Sequence, residues 1–322
     1  MSPENQPQSA THALVLSEGA TASTDYFVLP YLKKLDYSTV LRDARLAAME
    51  VDELRGFQLV VISRYLPRKW KQALRSFREA GGRIVYFMDD DLFDMRALKG
   101  LPARYQWKIL RFALLQRGEL ERLCDEYWFS TPYLAHKYPQ LNPVLLEPVP
   151  SVSLLMSSPA VQICYHGTAS HAAEFEWLLG VMGAVQQRSQ VTHFEIFGGP
   201  KLRRLYAGVP RVSVVQPMSW PDYLARTGCV RRSIALAPVL ASTFNAGRGY
   251  TKFFDYARLG AAGVYSDVAP YQGFVRDGVD GVLLKNDPAL WSEVILGLAA
   301  DADRREKIAA NARKRALHIA DE

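Results

Sequence analysis

The sequence predicts an α/β protein of two doubly wound parallel sheets. Three features of the chain point to it. Short apolar runs alternate with amphipathic segments of ten or more residues along the whole length. A Pro- and Ser-rich stretch, NPVLLEPVPSVSLLMSSPAV (142–161), interrupts the pattern, and the second half then repeats the grammar of the first. Strands alternating with helices of that length imply parallel sheets covered on both faces. The 322 residues suit two domains of roughly 150 each. We therefore expect a disordered lead-in over 1–11, one domain over 12–155 and a second over 156–322, with a cleft between the two sheets.

In the first half, HALVLSEG (12–19) reads as a strand ending in a glycine turn. TDYFVLPYLKKL (24–35) reads as a helix that Pro30 splits, and YSTVLRDA (37–44) as a weak strand. LVVIS (59–63) is a buried strand. PRKWKQALRSFREAGG (67–82) is a helix closed by paired glycines. RIVYFMDDD (83–91) is a strand running into three acids, QWKILRFALLQRGELERLCD (106–125) one long helix, EYWFST (126–131) a strand and PYLAHKY (132–138) a short helix.

In the second half, the strands are VQICYHGT (161–168), HFEIFGG (193–199), RVSVVQPM (211–218), SIALAPV (233–239), AGVYSD (262–267) and GVLLKN (281–286). Helices are expected over 171–188, 220–228, 251–260, 288–301 and 302–320. Trp107, Trp128, Trp177 and Trp220 fall on apolar faces and are expected in the core.

Composition narrows the function. Hydrophobic residues make up 49% and charged residues 22%, the balance of a globular chain. No run of about 18 apolar residues occurs, so no membrane span is expected, and MSPENQPQSATH lacks the apolar core of a signal peptide. Three scattered cysteines without CxxC spacing fit reduced thiols in the cytoplasm. The net charge of +6 suits a phosphorylated or otherwise anionic partner, or a plain solvated surface. Basic residues do not interleave with aromatics as in RNA-binding modules, so nucleic acid is not among the expected partners. The six histidines form no HxH or HxxxH pair, and neither GxSxG nor GxxxxGK[ST] occurs. Zinc, serine-hydrolase and P-loop chemistry are thereby disfavoured.

Ligands of open α/β sheets sit beyond the carboxyl ends of the strands, so the loops there carry the candidates. In FNAGRGYTKFFDYARLGAAGVYSD (244–267), a helix begins at Thr251 with Lys252 in its first turn. A cation at a helix N-terminus costs a few tenths of a kcal/mol, up to ~1, unless an anion sits there. Arg248 lies four residues upstream between two glycines. Free N–H groups, a helix dipole and two cations together suit a diphosphate. Asp255 offers an acceptor for ribose hydroxyls. The alternative is that Lys252 simply pairs with Asp255 at i, i+3. A second turn, YHGTASHAAEF (165–175), offers Gly167, Thr168 and His171 as a phosphate cradle, although many strand–helix turns hold Gly and Ser without a ligand. The acids Asp89, Asp90 and Asp91 permit three readings: a divalent metal, contact with an acceptor hydroxyl, or a strand end.

The second half resembles GT-B glycosyltransferases of the GT4-like group (glycosyl transferases group 1). Their pattern K-x-x-E-Y-a-x-x-G-x-P-V-[IV]-x-S-D is answered by KFFDYARLGAAGVYSD (252–267). Tyr271, VRDGVDGVLL (275–284), NDPALW (286–291) and DADRREKI (301–308) then follow in the family's order, so the likeness spans roughly 234–310. The first half matches only loosely.

The resemblance implies a GT-B fold of two Rossmann-like domains facing across a cleft, the first on the acceptor side, the second binding a nucleotide-sugar as substrate with its terminal helix 302–320 crossing back to the first, and no further cofactor or metal. It places Asp255 on the ribose, Lys252 and Arg248 on the diphosphate, and Phe244 and Asn245 beside the donor sugar. Tyr250 and Thr251 complete that donor-binding set. Asp90 and Asp91 are the acceptor-contact candidates.

The implied function is sugar transfer to a hydroxyl of a glycan or lipid-linked acceptor in bacterial surface polysaccharide or glycoconjugate synthesis. The implied location is the cytoplasm, with peripheral contact at the inner face of the membrane. One departure stands out. The family often carries a second carboxylate eight residues before Asp255, and Gly247 occupies that position. Donor identity and stereochemical outcome therefore stay open, as do a silent nucleotide-sugar-binding or scaffold protein and a nucleotide-sugar epimerase.

Overall fold

A computed structural model describes residues 11–156, 160–167 and 169–322. Most of the expected lead-in lies outside the described residues, as does Thr168. The chain divides into two compact units, Met1–Ser157 and Ser158–Glu322.

The first unit holds six strands: β1 (Thr11–Ser17), β2 (Tyr37–Asp43), β3 (Leu59–Ser63), β4 (Arg83–Met88), β5 (Glu126–Phe129) and β6 (Val144–Leu145). All pair in parallel in the order β2-β1-β3-β4-β5-β6. The second holds β7 (Val161–Tyr165), β8 (Thr192–Phe197), β9 (Val212–Val215), β10 (Ile234–Ala237), β11 (Ala262–Ser266) and β12 (Val282–Leu284). These too are parallel, in the order β12-β11-β10-β7-β8-β9. Both units are doubly wound and Rossmann-like.

Strands buried on both faces explain the unbroken apolar runs. Along β3, Val60 and Ile62 join one core while Leu59 and Val61 join the core on the opposite face. Along β10, Ile234 and Leu236 face one core, and Ala235 and Ala237 the other. Trp70, Trp128 and Trp291 are the large indoles sealed inside. The terminal helix Ala302–Asp321 packs on the helix Thr251–Leu259 and on β11, burying Ile308, Ala309 and Ala312 within the second unit.

Two expectations need correction. The single helix over 106–125 is broken into Ala103–Phe112, a 3-10 turn Leu114–Gln116 and Arg117–Leu123. The carbonyls of Arg111 and Phe112 leave the helical ladder there. One accepts from the Gln116 side chain at 2.8 Å and the other from the Leu66 N–H at 2.9 Å. Trp107 and Trp220 are each 62% exposed rather than in the core. Pro30 acts as expected, beginning the segment Leu29–Lys34 after a wide turn over Thr24–Val28.

Candidate functional site

In the second sheet the strand order reverses between β7 and β10, and the crevice beyond their carboxyl ends is where such sheets bind ligands. His166 and Gly167 follow β7, and the loop carrying Arg248 follows β10. A cavity of about 600 Å³ lies here, within the range of small-molecule sites. His171, Lys252 and Asp255 line it together with Gly167.

The helix Thr251–Leu259 opens at this point with no side chain capping its N-terminus. The Phe253 N–H bonds the Tyr250 carbonyl at 2.9 Å, and the N–H groups of Thr251 and Lys252 keep their donor capacity for solvent or a ligand. Lys252 does not pair with Asp255. Its ammonium donates to the His166 carbonyl and stands 4.9 Å from the Tyr165 ring centroid. Among the described residues no carboxylate lies within ion-pairing distance of it. Burial pushes its pKa down to about 8, against the pull of Asp255.

Arg248 is equally free of carboxylates. It lies over the exposed Phe244 ring at 5.3 Å, donates to the His171 imidazole, with 2.8 Å to Nε2, and reaches the Ser170 carbonyl at 3.1 Å. Burial, Lys252 and Arg248 hold the His171 pKa down at about 3, so the ring is a neutral acceptor. The space above Gly167 is filled by that same ring: a Cβ there would meet His171 at 3.2 Å and Tyr165 at 3.1 Å.

Asp255 accepts from the Tyr223 hydroxyl at 2.5 Å and from Arg258 at 2.6 Å. Behind it runs a chain that the sequence reading passed over. Tyr223 meets His166 Nδ1 at 2.8 Å, and His166 Nε2 meets Glu195 at 3.2 Å. Glu195 also takes Arg232 at 2.6 Å and Arg226 at 2.9 Å. Burial drives the Glu195 carboxyl up, but the bonds from His166, Arg232 and Arg226 outweigh it and hold its pKa at about 2. Glu195 was legible in principle, since a carboxylate inside the apolar strand THFEIF requires partners.

The far wall is aromatic. Trp220 stacks on Tyr223 with centroids 5.4 Å apart at 22°, and Phe197 stands edge-on to Tyr223 at 5.7 Å. Pro217 and Met218 complete this wall.

The remaining candidates are dispersed. The Asn245 amide is spent on Glu174 and the Leu240 carbonyl, both at 2.6 Å, which pins the loop. Tyr250 stacks on Phe274 at 3.8 Å, and Thr251 is exposed at the helix start. The acid run belongs to the first unit. Asp89 accepts from Ser23 and pairs with Arg64, Asp90 pairs with Arg64, and Asp91 is held by Lys137 and the Tyr138 hydroxyl. The Asp90 side chain is 58% exposed against 11% for Asp91. Among the described residues no group of three His, Cys, Asp or Glu is placed to hold a metal, and no helix is long and apolar enough to cross a membrane.

No protein-family model matches the chain, and no curated protein matches it in sequence. Similar solved structures include Staphylococcus aureus TarM, a G117R mutant in complex with fondaparinux, alpha-GlcNAc-glycerol and UDP. The identity is 9% and the TM-score 0.41, over 90% of this chain and 55% of that one. The chain thus spans little more than half of TarM. Anabaena Alr3699/HepE in complex with UDP and glucose is similar at 12% identity and TM-score 0.40, over 96% of this chain and 95% of that one. Sucrose-phosphate synthase from Thermosynechococcus elongatus is similar at 13% identity and TM-score 0.41, over 96% and 94% respectively. Likeness this distant assigns no substrate to the present chain.

Proposed function

We propose that the protein is a GT-B glycosyltransferase of the GT4-like kind, taking a nucleotide-sugar at the switch point of its second unit. One observation carries the reading. Lys252 and Arg248 stand without carboxylate partners beside an uncapped helix N-terminus. Two cations without counter-charges beside open N–H groups form a costly arrangement in a free protein. They are well placed for a diphosphate.

The roles follow from position. The aromatic wall of Trp220 and Tyr223 takes the base, Asp255 the ribose, and Lys252 and Arg248 the diphosphate. As the bond from the sugar to the diphosphate breaks, negative charge grows on the leaving oxygen. Preorganised cations and helix dipoles stabilise that charge without a metal ion. Asp90, the most exposed of the acid run, is the acceptor-contact candidate; Asp91 is committed to Lys137 and Tyr138. The acceptor is a glycan or lipid-linked hydroxyl, in bacterial surface polysaccharide or glycoconjugate synthesis, met by a cytoplasmic protein at the inner face of the membrane.

A second reading, nucleotide-sugar binding without transfer, has one observation in its favour. Gly247 brings no carboxylate to the loop, and the one carboxylate lining the cavity, Asp255, is already held by Tyr223 and Arg258.

A thermal-shift panel of UDP-, GDP-, dTDP- and CMP-sugars, followed by a transfer assay with the best donor, separates the readings. The transferase reading expects stabilisation by one donor class and release of its nucleoside diphosphate with acceptor. Stabilisation without transfer to any acceptor hydroxyl favours the second reading, and no stabilisation by any donor contradicts both.

A further inference from the structure

Four side chains of the second unit stand in one line of hydrogen-bond contacts: Asp255, Tyr223, His166 and Glu195. The three contacts measure 2.5 Å, 2.8 Å and 3.2 Å. Each needs one proton between its two heavy atoms. Both ends of the line are carboxylates in ion pairs, Asp255 with Arg258 and Glu195 with Arg226 and Arg232. An ionised carboxylate only accepts, so every proton comes from the two middle groups.

The Tyr223 hydroxyl supplies one. Burial and the neighbouring Asp255 raise its pKa, so it stays protonated. A neutral imidazole supplies one more. Two protons then serve three contacts, and only the imidazolium, with an N–H on both ring nitrogens, serves all three. The surroundings of the ring disfavour that ion. The His166 side chain is 5% exposed. The charged groups around it are Glu195 on β8, with Arg226 and Arg232 behind, and Lys252 and Asp255 on the helix Thr251–Leu259. Tyr223 reaches it from the helix Trp220–Gly228, and the Phe197 ring stands edge-on at 4.5 Å. Burial and Lys252 lower the His166 pKa, Glu195 and Asp255 raise it, and the balance falls below 6.5.

With one ring proton to share, the ionised end of the line decides its place. The Glu195 carboxyl keeps its charge down to about pH 2 and draws the proton to Nε2. Nδ1 is then a bare acceptor. The Tyr223 O–H lies between two acceptors, Nδ1 and Asp255, and can serve only one. The unserved contact is thus held toward the cavity, which Tyr223 and Asp255 both line. A hydroxyl donated to Asp255 by a ligand lets Tyr223 turn to Nδ1, and every acceptor in the line is served.

We propose that His166 is a positioning residue for ribose recognition: through Tyr223, its neutral Nε2–H form leaves Asp255 one proton short, and a ribose hydroxyl of the donor makes up the shortfall. This role rests on the nucleotide-sugar reading. It ties ribose recognition to a proton. An imidazolium completes the line by itself, so the ribose hydroxyl then gains nothing from it, and recognition of the ribose weakens in acid.

Two measurements on the full chain test this. The first needs no ligand. Imidazole 15N correlation spectra, assigned with His166→Asn, should show the Nε2–H tautomer of His166 at pH 7. An imidazolium or an Nδ1–H tautomer overturns the inference, whether or not a nucleotide binds.

The second is calorimetry between pH 4.5 and 7.5 with UDP and GDP, each against its 2′,3′-dideoxy analogue. Each pair shares its diphosphate, so the contributions of Lys252, of Arg248 and of phosphate titration cancel in the ratio of affinities. In the native chain the ratio should be constant above about pH 6.5 and fall below the His166 pKa by up to about tenfold per pH unit, the limit for one linked proton. Tyr223→Phe keeps the ring against Trp220 and Phe197, so it is expected to fold, and it cuts the line. Its ratio should lose that fall. An equal fall in both proteins assigns the titration to Asp255 and overturns the inference while leaving the donor reading intact. A ratio of about one at every pH also overturns it, because Asp255 then holds no ribose hydroxyl. Binding of neither nucleotide contradicts the donor reading, and this role falls with it even where the tautomer is as expected.

Discussion

Lys252 concentrates the account in one side chain. Its pKa in the free protein is about 8, below the 10.5 of a free lysine. The folded state therefore disfavours the charged form. That cost is fully present below about pH 8 and fades as pH rises toward 10.5. Lys252→Met should accordingly raise the Tm of the free protein at pH 7 while weakening nucleotide-sugar binding about 10- to 100-fold. A Tm that falls instead would show the ammonium to be structural. A bound diphosphate favours the charged form, so the Lys252 contribution to affinity should be constant below about pH 8 and decline above it, with proton uptake on binding. Calorimetry in two buffers of different ionisation enthalpy measures that uptake directly. Trp220 is a different case. Because it is largely exposed, Trp220→Ala should change stability by no more than about 0.5 kcal/mol. If it stacks a base, binding should weaken by ~1–3 kcal/mol, the usual worth of base–aromatic stacking.

At the scale of elements, the helix Thr251–Leu259 and strand β8 set the site. The helix ends at Gly260 with φ +68°, where a residue with a Cβ is strained. Gly260→Ala should destabilise by about 1 kcal/mol in urea titration and leave nucleotide affinity unchanged. Strand β8 brings Glu195 to three partners, and Glu195→Ala should cost ~3–5 kcal/mol, the usual result of stranding a buried charge. The Glu195 carboxyl titrates near 2 in the fold against 4.5 when free. Its contribution is thus present above about pH 4.5 and lost as pH falls toward 2. Native and Glu195→Gln proteins should converge in stability over that acid window, and a gap that does not narrow between pH 4.5 and 2 would assign the effect to packing. These elements were unequally legible. A lysine in the first turn of a helix conflicts with the dipole, so Lys252 could be singled out from local sequence. Glu195, His166 and Tyr223 lie on three separate segments, and only the parallel pairing of β7 with β8 brings the first two together. Likewise the break at Ala113 depends on the Leu66 N–H from a distant loop, so periodicity over 106–125 showed an uninterrupted helix.

Across the whole molecule, alternation of strand and helix was enough to give two doubly wound units, because burial on both faces leaves its mark on every strand. Strand order was not legible in that alternation, and order is what creates the two switch points. Each unit therefore offers one crevice at its switch point, and the two differ in chemistry: two cations, a carboxylate and an aromatic wall in the second, a basic cavity in the first. A ligand at a hundred times its Kd should add ~2.7 kcal/mol to the apparent stability of the unit that holds it. The most direct test of the account is calorimetry of the nucleoside diphosphate selected by the thermal-shift panel, comparing the native chain with Lys252→Ala. Affinity is expected to fall about 10- to 100-fold in the variant, the worth of one charge-assisted hydrogen bond of ~1.5–3 kcal/mol. Equal affinity in the two proteins would contradict it.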